Sequence, residues 1–353
     1  VSRPRGFVVL GYAVTALHPG VGRAPGTVDL PVQRDPMGYP MVYASSVKGA
    51  FKAECGRRAE EDNKVCFDNN GRINCENCPL CCCLFGHELG GEPAAGLLSV
   101  LDLVPLFFPV PSLSHGYLYV TTPYLAARAA AILEAIDTMN KHQNEETEEL
   151  EGLKQFLKNV KDLELDEGKA VACSIQGEKV YVGATELNIK EDNNDSRRIK
   201  QSCNGLNIIR DLGGLASAIP SRLVVVSDVD GPVLIEKGLI RLTRVKLRVD
   251  KKTVAGSALW TEEYIPHGTV FLGGFAALTP RANKYCCKEL AKDNGNNCIV
   301  RDSSDVSTLL GKFMKRMSGD SCQTYAIVGG KETIGKGVLF LKLKPCPSKG
   351  DGQ

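Results

Sequence analysis

The sequence contains no apolar run approaching the roughly 18 to 20 residues that a membrane-spanning helix requires. Its apolar 43% of 353 residues is therefore available for one large core or two ordinary ones. Residues 1–17 lack the flanks of a secretory signal and form a short alternating apolar run, so they read as a strand and the protein as cytoplasmic, with no membrane partner. No internal repeat is recognisable. Net charge is nearly absent, at +2, but it is unevenly spread. Residues 145–167 carry nine Asp or Glu against three Lys, a net of −6, which leaves +8 on the rest. A moderately basic body can follow a phosphate backbone, although a split of this size also suits an ordinary solvated helix.

Cysteine, by contrast, is plentiful. Half of the 14 cysteines crowd into residues 55–83, and in a cytoplasmic chain that clustering points to metal more than to disulfides. The spacing Cys66-x8-Cys75-x2-Cys78-x2-Cys81 supplies four soft ligands on a short knuckle, as tetrahedral Zn²⁺ requires. Cys82, Cys83 and His87 are possible replacements, and free buried cysteine is the alternative.

The apolar patterning alternates between strands and helices in mixed order and ends on a strand, which predicts an α+β fold with long insertions. Residues 7–17 read as the first strand. Ser45 and Ser46 look like the cap of a helix whose apolar stripe is Val47, Ala50 and Phe51. Thr122-Pro123 opens a second helix, extending to about Met139. Residues 145–163 suggest an acidic surface helix, an appendage spanning 140–168. Residues 223–229 form the most apolar β run and belong at the centre of a sheet. In residues 239–249, apolar positions alternate with Arg241, Arg244, Lys246 and Arg248, predicting one arm of a projecting hairpin that is apolar on one face and cationic on the other.

Two segments suit phosphate. Gly330, Gly335 and Lys336 nearly spell a Walker A loop, but Gly337 stands where a Ser or Thr must hold Mg²⁺. A stand-alone nucleotide hydrolase is disfavoured for that reason. The same glycines still let backbone N–H groups approach phosphates while Lys331 and Lys336 supply charge, unless the segment is a plain hairpin turn. At the other end of the chain, Ser45, Ser46 and Lys48 place two hydroxyls and a cation at a helix start, where the helix dipole also attracts anions.

Together, Ser45-Ser46-Val47-Lys48-Gly49-Ala50 and the glycine segment 329–337 resemble the RAMP superfamily of CRISPR RNA-binding proteins. Within it, His18-Pro19-Gly20, Gly26-Thr27-Val28-Asp29-Leu30-Pro31-Val32-Gln33-Arg34, the segment 220–228 and the segment 253–266 are similar to the backbone subunits of type III-B Cmr effectors. Cys78-Pro79-Leu80-Cys81 and Leu84-Phe85-Gly86 also resemble a motif seen across RAMP proteins, some of which bind zinc.

The resemblance implies a single domain over 1–353: a ferredoxin-like (RRM-type) palm that binds guide RNA, a cysteine-rich zinc insertion at 55–91 and a thumb hairpin at 239–264. It implies stacking of copies into a filament, contact with other Cmr-complex subunits, and cleavage of paired target RNA at regular intervals. Asp29 falls at the family's catalytic acid, and His18, Glu262 and Tyr264 at further positions near the scissile bond. A carboxylate there takes the 2′-hydroxyl proton or positions a divalent ion, Mg²⁺ or Mn²⁺. The alternative is a non-catalytic guide-binding filament subunit.

Overall fold

The computed structural model describes residues 4–24, 26–60, 66–87, 93–141, 148–190, 194–277, 281–290, 299–300, 302–319 and 322–347. In chain order the main elements are β1 (Arg5–Ala13), α1 (Ala44–Glu60), α2 (Pro79–Phe85), β2 (Val104–Ser112), β3 (Gly116–Thr121), α3 (Pro123–Asn140) and α4 (Glu148–Lys161). There follow β4 (Lys169–Ala172), β5 (Lys179–Val182), β6 (Thr185–Ile189), β7 (Leu223–Val226), α5 (Asp230–Gly238), β8 (Ile240–Leu247) and β9 (Val254–Tyr264). The chain continues with β10 (Val270–Ala277), α6 (Ser303–Ser318), β11 (Gln323–Ile327) and β12 (Val338–Lys344). The expected α+β class is what forms. Among the described residues no helix is long and apolar enough to cross a membrane.

One large sheet runs in the order β11-β12-β1-β10-β2-β3-β7-β4-β6-β5. Neighbours are antiparallel except β3 with β7 and β4 with β6. Every residue of β1 is buried, because both faces of the sheet are covered there. Phe7 and Val9 pack with Phe51 of α1 and Phe313 of α6, while Val8 and Leu10 pack with Leu133 and Ile136 of α3 and Phe156 of α4. Two covered faces explain why this antiparallel strand is nearly all apolar. β1 ends at Ala13, not at Leu17 as the apolar run suggested. Beyond it the chain leaves the sheet, and Leu17 bridges Ile265 instead.

β7 is central and wholly buried, as expected, but stops at Val226. There the Ser227 hydroxyl accepts from the Asp230 N–H and donates to its carboxylate, starting α5. α3 begins as predicted, with the Thr122 hydroxyl accepting from Leu125 N at 3.2 Å. The start of α1 differs from expectation. Ser45 and Ser46 lie inside its first turn, and the orphan N–H groups are met from afar: Asp102 accepts from Ala44 N and Gln33 from Tyr43 N, both at 2.7 Å. The acidic segment is not an appendage either. Leu150, Leu153, Phe156, Leu157 and Val160 of α4 are buried in the core that includes α3, and only the opposite side is acidic and exposed. Residues 142–147 of that segment lie outside the described residues.

The cysteine-rich insertion departs from the expected tetrad. Cys66 pairs with Cys78, Cys75 with Cys82, Cys81 with Cys55 and Cys83 with Cys286. The reason is local: Cys81 to Cys83 are consecutive in a helix, so their side chains point about 100° apart and meet different neighbours. Among the described residues no group of three or more metal-ligating side chains is assembled. His87 stacks edge-on to Tyr285 with ring centroids 5.0 Å apart. Residues 61–65 and 88–91 of the insertion lie outside the described residues.

Phe51 joins α1 to the sheet and to α6, with ring centroids 5.5 Å from Phe275 and 5.6 Å from Phe313 and no exposed surface. Phe51→Ala is expected to cost about 3–5 kcal/mol, read as a lower denaturant midpoint at unchanged slope.

Candidate functional site

Among the described strands β8 and β9 pair with each other and stand apart from the main sheet. Their register places Ile240, Leu242 and Arg244 with Tyr264, Glu262 and Trp260 on one face, and Arg241, Thr243 and Val245 with Glu263, Thr261 and Leu259 on the other. The outer half is the expected mixture of cationic and apolar groups. Lys246 and Arg248 are exposed, as are Val245, Leu247, Val249, Val254 and Leu259. Arg241 departs from the pattern. It stands an odd number of residues from Arg244, so it shares the face of Val245.

Three stretches of chain meet at the root of this hairpin. The loop at residues 26–35 runs beside β9: Leu30 N donates to Thr261 O and Glu263 N to Leu30 O, each at 3.1 Å. Asp29, exposed on this loop, accepts from Thr261 N at 2.7 Å. His18 arrives from the segment after β1, with Nδ1 2.7 Å from the Glu263 carbonyl and its ring 5.3 Å from that of Tyr264. The glycine loop closes over His18. Gly330 N donates to His18 O at 3.0 Å, and Gly329, at φ +83°, leaves no room for a side chain, since a Cβ there would lie 2.4 Å from the same oxygen.

Glu262 is the meeting point of the cations. Its side chain is 1% exposed and accepts from Lys331 Nζ at 2.5 Å, Trp260 Nε1 at 2.7 Å, Arg244 Nε at 3.2 Å and the Tyr264 hydroxyl. Burial works to raise its pKa, but the bonds from Lys331, Tyr264 and Trp260, with the charge of Lys331, outweigh it and hold the carboxyl at about 2. Burial, and then the bond to Glu262, push the Tyr264 hydroxyl up from its usual range. Lys336 Nζ lies over the Tyr264 ring, 5.4 Å from its centroid.

The four positions singled out for catalysis, Asp29, His18, Glu262 and Tyr264, thus come together. Lys331 and Lys336 join them, carried by the turns that Gly329 and Gly335 allow. Ser45, Ser46 and Lys48 lie on the adjoining start of α1, tied in where Gln33 Nε2 donates to the Ser46 hydroxyl at 2.9 Å. Arg241 and Arg244 are engaged by glutamates at the root, whereas Lys246 and Arg248 project outward. Sequence reasoning missed Glu236 and gave no role to Gln33, Arg34, Trp260 and Glu263, although these four lie in the segments that carry the family resemblance. Two consecutive glutamates in an apolar strand were the available signal, because alternation buries them on opposite faces and each then needs its own cations.

A sequence profile of the RAMP superfamily matches residues 12–339. The chain belongs to the RAMP superfamily. This RAMP chain is 27% identical over 346 residues to the CRISPR system CMR subunit Cmr4 of Saccharolobus solfataricus, covering 94% of each chain. It is 28% identical over 350 residues to the CRISPR system Cmr endoribonuclease Cmr4 of Pyrococcus furiosus, covering 98% of each. Its fold matches a chain of the apo-state cryo-EM structure of Type III-B Cmr-beta with a TM-score of 0.66 at 22% identity, over 97% of this chain and 98% of that one.

The depressed pKa of Glu262 makes the root of the RAMP hairpin acid-sensitive. A carboxyl lowered on folding stabilises the fold above its unfolded value of about 4.5 and loses that contribution as pH falls toward 2. Glu262→Gln is expected to lower stability at pH 7, because Lys331 and Arg244 lose their counter-charge, and to flatten the fall between pH 5 and pH 2. Thermal midpoints measured across that range for both proteins check both statements.

Proposed function

We propose that this chain is a backbone subunit of a type III-B CRISPR effector, binding guide RNA along a filament of its own copies and cutting complementary target RNA within the assembled complex. One observation carries the reading: the Asp29 carboxylate is pinned on Thr261 N at the root of a projecting hairpin that also holds His18, through the Glu263 carbonyl, and a lysine-bearing glycine loop, through Glu262. The relatives add support, since one is named an endoribonuclease and the other a Cmr subunit.

In this reading the antiparallel unit β12-β1-β10-β2, with α1 and α6 on one face, is the ferredoxin-like palm, and β8 and β9 are the thumb. The inserted residues between β2 and β10 carry the thumb to the palm edge. Ser45, Ser46 and Lys48, with Lys336 of the glycine loop, offer hydroxyls and charge to guide phosphates, while Gly330 and Gly335 shape that loop with their N–H groups bonded to His18 and Glu332 and Lys331 is paired with Glu262. The exposed outer half of the thumb combines Lys246 and Arg248 with apolar side chains, a composition that displaces a base while holding its backbone. Neighbouring copies and other Cmr-complex subunits complete the assembly, and guide pairing supplies the sequence choice.

The chemistry assigned to the site is attack of a 2′-hydroxyl on its adjacent phosphate, leaving a cyclic phosphate and a free 5′-hydroxyl. Asp29 is the exposed carboxylate able to take the hydroxyl proton. One carboxylate also fits Mg²⁺ or Mn²⁺, which take their remaining ligands from phosphate and water, and such an ion supplies Lewis-acid stabilisation of the phosphate oxygens. Glu262 is a poor base, because its lowered pKa leaves it little affinity for a proton and its oxygens are taken up by donors. Its part is to hold Lys331, Arg244 and the Tyr264 hydroxyl in place. With Nδ1 donating to the Glu263 carbonyl, His18 keeps Nε2 for proton exchange.

Asp29→Ala in a guide-loaded complex is expected to leave guide and target binding intact and to slow cutting roughly 10²- to 10⁴-fold. Unchanged cutting would leave the chain a non-catalytic filament subunit.

In the reduced protein, Cys66, Cys75, Cys78 and Cys81 are the proposed ligands of a structural Zn²⁺ that replaces the thiol pairings, since four thiolates within one small insertion match its chemistry. Metal analysis of protein purified under reducing conditions is expected to return close to one zinc per chain. A value far below one removes the zinc.

A further inference from the structure

On the face of the hairpin opposite Glu262, four charged side chains close into a ring. Arg34 Nη1 lies 2.5 Å from Glu236 Oε2, and Arg34 Nη2 lies 2.8 Å from Glu263 Oε2. Arg241 completes the circuit, with Nε and Nη2 each 3.2 Å from Glu263 Oε1 and with Nη2 also bonded to Glu236. Each arginine bridges both glutamates. Two positive and two negative charges cancel, so the ring offers a phosphate no net attraction and is not an anion site.

What the ring joins is more informative than its charge. Arg34 belongs to the loop that carries Asp29, Glu236 to α5, and Arg241 and Glu263 to the two hairpin strands. Glu263 is 1% exposed at its side chain and also accepts from Val32 N at 3.2 Å, so the same carboxylate grips the loop through a side chain and through its backbone. A buried carboxylate that loses its cations is costly, which makes the ring hard to open piecemeal. Behind the loop lies an open cleft of about 580 Å³, lined by Gly26, Thr27, Val28 and Pro31 on one side and by Thr261 and the ring on the other. Apolar packing does not fill that space. The loop is held at the edge of that space by its short backbone ladder to β9, by backbone bonds to Pro19, Val21 and Ala24, and by the ring, which is its charged tie to α5 and the hairpin.

We propose that Arg34 and Glu263 are positioning residues for cleavage, locking the loop so that the Asp29 carboxylate stays on Thr261 N at the hairpin root. The inference rests on Asp29 being the catalytic carboxylate. It names two residues that reach no reacting atom and act only through the place they give to Asp29. Misplacing a reacting group by about 1 Å can cost on the order of 100-fold in rate. The arginine is needed for its fork: a lysine at position 34 keeps the charge but bonds as a point and spans the two carboxylates poorly.

The test uses the guide-loaded complex, with target affinity and the single-turnover cutting rate at saturating target measured side by side. Arg34→Ala and Glu263→Gln are expected to slow cutting by roughly 10- to 100-fold with target affinity unchanged, and Arg34→Lys to fall between Arg34→Ala and the parent chain. Asp29→Ala is run in parallel. If Asp29→Ala cuts normally, the assignment of the catalytic carboxylate fails, and this inference with it. If Asp29→Ala is inert while Arg34→Ala and Glu263→Gln cut at the parent rate, the positioning role alone is overturned. Loss of affinity in step with rate also overturns it, since that is the mark of a merely structural ring. Should Arg34→Ala or Glu263→Gln not assemble, Arg34→Lys and Glu236→Gln, which leave the buried Glu263 charged and partnered, decide by the same two measurements: slower cutting at full affinity supports the role, and parent-like cutting removes it.

Discussion

Two neighbouring carboxylates in one strand organise this molecule's working end. Strand alternation sends Glu262 and Glu263 to opposite faces of the hairpin, and both side chains are almost wholly buried. A buried carboxylate persists as an anion only where cations and donors surround it, so each glutamate recruits its own set. Glu262 gathers Lys331 from the glycine loop and Arg244 from β8. Glu263 gathers Arg34 from the Asp29 loop and Arg241 from β8. The main chain between them adds His18 through the Glu263 carbonyl and Leu30 through the Glu263 N–H. One dipeptide therefore fixes four distant stretches of sequence, and the site exists because those electrostatic requirements are met together.

Much of the fold was legible from local pattern. The buried strand β7, the capped start of α3, the projecting hairpin and the meeting of Asp29, His18, Glu262 and Tyr264 all follow from periodicity or from motif resemblance. What was not legible shares a cause: partners far apart in the chain. Asp102 and Gln33 satisfy the first turn of α1, so a local reading chose Ser45 and Ser46 as caps. The acidic segment looked peripheral by charge, whereas its apolar stripe at Leu150, Leu153 and Leu157 docks on the sheet through α3 and α4. Cys81, Cys82 and Cys83 read as one cluster along the sequence and are separated in direction by the helix that contains them. Arg241 looked like one of four equivalent cations until strand parity placed it on the other face.

The hairpin and the sheet also divide their labour by composition. β1 and β10 lie in a region covered on both sides, where aliphatic and aromatic packing sets a rigid frame. Among the described residues the hairpin shares no strand pairing with that frame, and it is tied at its root by charged and hydrogen-bonded contacts together with the buried Tyr264 ring. Its direction is thus governed by a few charged groups, while the frame's geometry is governed by many apolar ones. A substitution in the frame acts on folding; one at the root acts on folding and also on the ties that seat the hairpin.

Those root contacts bear on how the molecule responds to its electrolyte. Dissolved ions screen exposed charges within a Debye length of about 8 Å at physiological strength and reach buried pairs far less. Lys246 and Arg248 stand in the solvent, so any hold they have on a polyanion weakens as salt rises. Glu262 and Glu263 are sealed from it. Increasing ionic strength therefore weakens the outer charges first, and the root, whose two carboxylates are buried though their cations reach solvent, yields less.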